Sequence, residues 1–266
     1  MGHDTFGKGV EHTIVYRGGK VIDIGVPGSI TNPAGQSVNS HGQVVGREFA
    51  TNQPFLWDDG KLSYLETGLP YGNTPKAIND AGAVVGFAVT EQFDPHAARW
   101  IDGVFEDINP PWAIDSRAEK ISDSGEIAGW GHNLQNRQRA ILWREDGTAI
   151  DLGDFGGGIG QAYDVNNLSQ VVGYASAAGK PSQGFYWEGG KMFVLLDLVK
   201  NNKAWQSMSA FSINDAGQLL AIGSPAAQPE TRYLLLNPVP EPSTLTAVSL
   251  GCIAFATICR RGRRRK

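Results

Sequence analysis

Polar turns and short apolar runs alternate with a fixed period along residues 10–238. One pattern recurs five times: Val38-Asn39-Ser40-His41-Gly42-Gln43-Val44-Val45-Gly46, then from Ile78 through Asn79-Asp80-Ala81-Gly82 to Val84-Val85-Gly86, then from Ile121 through Ser122-Asp123-Ser124-Gly125 to Ile127-Ala128-Gly129. The fourth runs from Val165 through Asn166-Asn167-Leu168-Ser169 to Val171-Val172-Gly173, and the fifth, from Ile213 through Asn214-Asp215-Ala216-Gly217 to Leu219-Leu220-Ala221, is degenerate at its end. An Asn side chain at the head of such a turn can accept backbone N–H bonds, and glycine takes the left-handed position before the apolar strand resumes.

A second pattern interleaves with the first. Short apolar strands end on Tyr16, Trp57, Trp100, Trp143 and Trp187, and each is followed by a tight-turn pair: Gly18-Gly19, Asp59-Gly60, Asp102-Gly103, Asp146-Gly147 or Gly189-Gly190. Such pairs suit two-residue hairpins. Each unit of roughly 43 residues therefore supplies two hairpins, or four short strands, which is the content of a propeller blade. The fold expected is all-β, a β-propeller of about five four-stranded blades, with an open β-solenoid as the alternative. The large aromatic residue, one per unit, reads as the wedge that packs blade against blade.

Register allows two endings. The chain opens on the second hairpin of a unit, residues 13–24, and finishes with a first hairpin at 212–223 plus one strand near 233–236. Either the N-terminal strands complete the last blade and close a five-bladed ring, or residues 13–24 belong to a blade of their own that is half present.

Beyond residue 238 the pattern changes. Val239-Pro240-Glu241-Pro242-Ser243-Thr244 is followed by an apolar run at 245–259 and by the basic cluster Arg260, Arg261, Arg263, Arg264, Arg265 and Lys266. The prolines interrupt any helix, the run reads as a membrane helix, and the cations favour the cytoplasmic side. Fifteen residues at about 1.5 Å each span about 22 Å against a hydrocarbon core of roughly 30 Å, so the helix is short. At the other end, residues 1–9 have neither the basic start nor the apolar stretch of a signal peptide; the expectation is a disordered start, truncated or misassigned.

Charge sharpens the picture once the tail is set aside. Without its six cations and Glu241, 17 basic residues face 26 acidic ones, a net charge of −9. Such a domain disfavours nucleic acid and anionic lipid. Both cysteines, Cys252 and Cys259, lie in the tail, so residues 10–238 hold no disulfide and no thiol chemistry.

The tail closely resembles the PEP-CTERM sorting signal, with its Val239-Pro240-Glu241-Pro242 motif (239–244), short transmembrane helix (245–259) and arginine-rich end (260–266). The resemblance implies that an exosortase, a membrane cysteine protease-transpeptidase, recognises Glu241 and its flanking prolines and cuts nearby. The repeats resemble the HAF family of bacterial extracellular repeats, whose His-Ala-Phe run survives loosely as His12-Thr13-Ile14-Val15-Tyr16, His96-Ala97-Ala98-Arg99-Trp100 and Arg139-Ala140-Ile141-Leu142-Trp143. Asp151-Leu152-Gly153-Asp154-Phe155-Gly156-Gly157 looks like that family's Asp-Leu-Gly linker. Together they imply an exported protein of a bacterium that makes exopolysaccharide or biofilm matrix, held briefly in the inner membrane and delivered to the cell surface.

Candidate chemistry is sparse. The glycine run at 153–160 lacks the lysine and the helix of a phosphate loop and reads as a linker between blades. His3, His12, His41, His96 and His132 show no metal-ligand spacing. Asp164-Val165-Asn166-Asn167 is the richest oxygen cluster for calcium, though a self-bonded turn accounts for it. No serine sits in a nucleophile elbow, and no carboxylates are paired by sequence. No catalytic residue and no cofactor are expected. The function expected is non-catalytic, structural or ligand-binding, with exopolysaccharide or surface glycans as partners; a polysaccharide-active propeller enzyme is the alternative, and an ice-binding adhesin ranks below it.

Overall fold

The computed structural model describes residues 2–6, 10–24, 33–48, 51–66, 68–227, 230–239 and 254–258. They form six antiparallel sheets in chain order. The first has three strands, β1 (Gly2–Phe6), β2 (Val10–Arg17) and β3 (Lys20–Asp23). The second comprises β4 (Pro33–Val38), β5 (Val44–Glu48), β6 (Pro54–Asp58) and β7 (Lys61–Tyr64), and the third β8 (Tyr71–Ile78), β9 (Val84–Val89), β10 (Pro95–Ile101) and β11 (Val104–Asp107). The fourth is built from β12 (Ala113–Ile121), β13 (Ile127–Asn133), β14 (Gln138–Trp143) and β15 (Ala149–Gly153). The fifth holds β16 (Gly156–Val165), β17 (Val171–Ala177), β18 (Gln183–Glu188) and β19 (Lys191–Val194), and the sixth β20 (Trp205–Ile213), β21 (Leu219–Pro225), β22 (Arg232–Val239) and β23 (Ala254–Ile258).

The second to fifth sheets are each a meander made from one sequence repeat, and the sixth starts as one. The turn headed by Asn39, Asn79, Ser122, Asn166 or Asn214 joins the first and second strands, and in the second to fifth sheets a Gly-bearing pair joins the third and fourth. Gly42, Gly82, Gly125 and Gly217 hold φ angles of 71–84°, the region where a side chain is strained; Ser169 fills the same slot in the fourth repeat at 61°. The Val-Val-Gly ending has a separate cause. Each first strand carries an irregularity in its pairing, between Gly35 and Ser37, Pro75 and Ala77, Ala118 and Lys120, Ala162 and Asp164, and Ala210 and Ser212. Beside that bulge its backbone presses onto the second strand. A Cβ on Gly46, Gly86, Gly129 or Gly173 would lie only 2.0–2.2 Å from a carbonyl oxygen of the first strand.

Six sheets meet at five apolar junctions. Val15 and Ile24 of the first sheet pack with Val44, Phe55 and Trp57 of the second. Val45 and Leu65 then meet Val84, Ala98 and Trp100; Val85 and Ala97 meet Ile127, Ile141 and Trp143; Ala128 and Leu142 meet Val171, Phe185 and Trp187. At the last junction Val172, Tyr186 and Leu195 pack against Leu219, Leu234 and Leu236. The aromatic at the end of each third strand thus faces the preceding sheet. Two indoles are also tied there by hydrogen bonds, Trp100 Nε1 donating to Glu66 O at 2.9 Å and Trp143 Nε1 to Ile108 O at 2.8 Å.

Three features differ from the sequence reading. Residues 13–24 do not complete the last sheet; they pair with β1 in a sheet of their own, the second of the two registers. The fourth strand of the last sheet is β23, in which Leu235 pairs with Ile258 and Val239 with Ala254. A helix was expected over 245–259; of that stretch only 254–258 lie among the described residues, and they form this strand because β22 offers an unpaired edge. Third, Tyr16 occupies the wedge position of the first sheet yet is 70% exposed, because no sheet precedes it among the described residues.

Candidate functional site

The first strands β4, β8, β12, β16 and β20, with the turns that follow them, converge on one cavity of about 290 Å³. This common axis is what distinguishes a radial, propeller-like array from a linear solenoid. The cavity wall comes from five repeats: Ser37 and Val38, Ala77 to Asn79, Lys120 to Asp123, Asp164 to Asn167, and Ile213 to Asp215.

Each turn satisfies itself and grips the next. Oδ1 of Asn39, Asn79, Asn166 and Asn214 accepts the backbone N–H four residues on, at 2.9–3.0 Å. The same residues' Nδ2 atoms donate forward across the junction, Asn39 to Asn79 O, Asn79 to Ser122 O and Asn166 to Asn214 O, at 3.0–3.1 Å. A second line of bonds donates in the same direction, onto side chains that reach back from the later turn: Asp80 Oδ1 accepts Ser40 N, Asp123 Oδ1 accepts Asp80 N, and Asp215 Oδ1 accepts Asn167 N, all at 2.8 Å. Ser122 lacks an amide and makes no forward bond of this kind. Its Oγ still accepts Glu126 N at 3.2 Å, while Ser124 N donates to Asn167 Oδ1 at 2.9 Å.

One residue past each bulge, the five repeats place Ser37, Ala77, Lys120, Asp164 and Ser212. Ser37 Oγ accepts Ile78 N at 3.4 Å. Asp164 makes the stronger version of that bond: Oδ2 accepts Ile213 N at 2.9 Å and Ser212 Oγ at 2.8 Å, and Oδ1 accepts Val165 N at 3.0 Å. Burial holds the Asp164 carboxyl above the usual range, against the pull of those hydrogen bonds and of Lys120. Asp80, in the open, is shifted the other way by the Ser40 hydroxyl and N–H.

The predicted positions fall into two groups. Asn79, Asn166 and Asn214 line the axial cavity, and Asn39 reaches it through the Asn79 carbonyl. Trp57, Trp100, Trp143 and Trp187 sit at the junctions, away from it. Val239 ends β22; Pro240, Glu241, Pro242, Arg260, Arg261, Arg263, Arg264, Arg265 and Lys266 lie outside the described residues. Sequence reasoning passed over Asp80, Asp123, Asn167 and Asp215 as cross-junction acceptors, although the recurrence of Asp or Asn after the turn's first residue was a visible signal. Asp164 carried no such signal, since its equivalents are Ser, Ala, Lys and Ser.

Two other features have binding character. A cavity of about 460 Å³ between the fifth and sixth sheets is floored by Met208 and Leu196 and rimmed by Lys180, Gln183, Gln206 and Ser224. Tyr71 and Phe93 stack with ring centroids 5.1 Å apart on the rim of the third sheet, Phe93 holding a φ of 67°. The glycine run expected as a linker is mostly strand, because Gly156 already opens β16 and only Asp154 and Phe155 lie between β15 and β16; Asp154 accepts Gly158 N at 3.1 Å and Arg139 Nη1 at 2.7 Å and bonds Gly156 N. Among the described residues no group of three or more His, Cys, Asp or Glu side chains could hold a metal ion, and no helix is long and apolar enough to cross a membrane.

No family model matches the sequence, and no curated protein matches it. Solved structures with a similar course of the chain include TolB from Acinetobacter baumannii (13% identity, TM-score 0.44, covering 81% of this chain and 59% of that one). A streptogramin B lyase (16%, 0.41, 76% and 67%) and a triple arginine-to-alanine mutant of AofleA from Arthrobotrys oligospora (12%, 0.36, 86% and 86%) are others. The chain spans about three fifths of the TolB length.

Proposed function

We propose that this chain is an exported surface or matrix protein whose propeller-like domain is a non-catalytic scaffold, with the axial cavity as its ligand site and exopolysaccharide as the ligand class. The observation that carries this reading is the state of the axial carboxylates. Asp80, Asp123, Asp164 and Asp215 each accept a backbone N–H of a neighbouring sheet or turn. A carboxylate so engaged holds register between neighbouring repeats, its lone pairs committed to the scaffold. Lys120 and the polar turn residues of the wall make a polar cavity suited to hydroxyl groups.

The tail supplies delivery in this reading. Glu241 with Pro240 and Pro242 is the recognition element, residues 245–259 enter the inner membrane, and 260–266 hold the cytoplasmic side. Entry of 245–259 into the membrane withdraws residues 254–258 from the edge of β22, so delivery changes the last sheet as well as the address.

Two experiments test the two halves. The full chain, applied to a glycan array with and without calcium, is expected to retain acidic or neutral polysaccharides, and Lys120→Ala is expected to lose that retention; reducing ends appearing during incubation would instead favour the enzyme reading. In a host with a matching exosortase, Glu241→Ala is expected to leave the chain unprocessed in the membrane, and unchanged release would overturn the sorting assignment.

A further inference from the structure

The bulge in each first strand sets out a row of side chains that the axial turns do not use. Between the paired residues on either side of it stand Gln36, Lys76, Glu119, Tyr163 and Phe211. A second row follows the glycine of each Val-Val-Gly ending or its equivalent: Arg47, Phe87, Trp130 and Tyr174. In the third to fifth sheets the two rows touch. Lys76 Nζ lies 5.9 Å from the centre of the Phe87 ring, Trp130 Nε1 donates to Glu119 Oε1 at 3.1 Å, and the Tyr163 and Tyr174 rings are 5.5 Å apart. Arg117 joins them across the junction, because its guanidinium carbon lies 5.0 Å over Phe87 of the third sheet and 4.9 Å over Trp130 of its own. All of these side chains in the third to fifth sheets are half-buried.

Arg117 is the incomplete member of this cluster. Arg99, Arg139 and Arg144 each face a carboxylate. Among the described residues Arg117 and Lys76 make no ion pair, and Arg117 Nε is buried without a hydrogen-bond partner. A ring face attracts a guanidinium but accepts none of its in-plane N–H bonds, so Phe87 and Trp130 hold the group and leave its donors unspent. Glu119 is committed to the Trp130 indole. Burial first, then Tyr174 and Glu119, push the Tyr163 hydroxyl up to about 12, so it stays protonated beside that carboxylate. We propose that Arg117, with Lys76 beside it, binds the carboxylate of an acidic sugar, a uronate unit of a polysaccharide. The planar fork of a guanidinium matches a carboxylate with two parallel bonds, and in a domain that is acidic as a whole two cations without a protein counter-ion are where an anion gains most. Tyr163 and Tyr174 then offer hydroxyl and ring surface to the sugar itself. The uronate identity rests on the glycan reading above; the carboxylate site does not.

The test is isothermal titration of the full chain, in a mild non-ionic detergent, with tetragalacturonate, its methyl ester and inorganic sulfate. The wild-type chain is expected to bind the acid about 10-fold or more tightly than the ester. Arg117→Lys keeps the charge and loses the fork, and Arg117→Met keeps the stem against the rings; both are expected to lose most of that preference, with circular dichroism matching wild type as the check on the fold. Tyr163→Phe is expected to weaken acid and ester alike. Acid and ester bound equally, or a preference that survives both Arg117 substitutions, would overturn this inference and leave the glycan reading standing. Sulfate bound as tightly as the acid would overturn the carboxylate assignment. If neither saccharide binds, the glycan reading and the uronate identity both fail, and acetate decides the rest: a shift of the Trp130 indole N–H resonance that Arg117→Met abolishes supports the carboxylate site, and no shift overturns it.

Discussion

The interior sheets and the two end sheets are built from the same strand positions, and the difference between them is what each position touches. Trp143 is enclosed between two sheets and donates its indole N–H to a linker carbonyl. Tyr16, at the matching place in the first sheet, meets solvent. A wedge contributes only where it has a neighbour to divide, so one residue type at one repeat position stabilises the middle of the array and leaves its edge nearly indifferent.

Substitution is the most forceful way to break that comparison. Trp143→Ala opens a large cavity and strands the Ile108 carbonyl; it should lower the unfolding free energy by about 3–5 kcal/mol. Tyr16→Ala should stay within about 0.5 kcal/mol, both read by chemical denaturation. A second contrast uses the glycines beside the bulges. A Cβ on Gly129 would lie 2.0 Å from Arg117 O, so Gly129→Ala should cost about 1–3 kcal/mol by the same measurement. The sixth sheet already carries Ala221 at this place, paired with Ala210, and Ala221→Gly should cost only about 0.5–1 kcal/mol through added chain entropy.

The axial turns sharpen the comparison more gently. Asn79→Ala removes a turn acceptor and a cross-junction donor together and should cost about 1–2 kcal/mol. Ser122→Asn should restore the missing forward bond to Asn166 O and raise the melting temperature, with a gain of about 0.5–1 kcal/mol. The smallest expected effect is the pH dependence carried by Asp164. Its folded-state pKa is raised, so its contribution is fully present below the unfolded value near about 3.9 and is lost as pH rises through the folded value. Stability of wild type relative to Asp164→Asn should therefore fall on going from acid to neutral pH; a difference that rises instead would show that the hydrogen bonds to Ser212 and Ile213 outweigh burial.

Much of this architecture was legible because a repeat prints each structural demand several times. The Asn-headed turn, the Gly-bearing hairpin pair and the aromatic period placed four strands per unit, and the bulge explains why Gly46, Gly86, Gly129 and Gly173 recur. What lay beyond reach were relations between units. Nothing in Asn79 says that its amide reaches Ser122 of the next turn, because that depends on how closely adjacent first strands approach the axis. Leu236 in the wedge position breaks the aromatic period and was invisible to it, although the Leu219–Leu236 pairing repeats that of Val171 and Trp187. The capture of residues 254–258 by β22 was equally hidden, since an apolar run carries no mark of whether it meets lipid or a sheet edge. Asp164 is the plainest case: its role comes from burial against the sixth sheet, and no periodic signal accompanies it.

Native-state hydrogen exchange, resolved sheet by sheet on the full chain, tests most directly whether the stability of a sheet follows the number of junctions it makes. The third and fourth sheets, flanked on both sides, should exchange slowest and together, while amides of β2 and β3, held by one junction, should exchange by a separate and faster opening. Protection of β2 and β3 equal to that of β13 and β14 would contradict the account, because a sheet with an uncovered wedge would then be as firmly held as one packed on both faces.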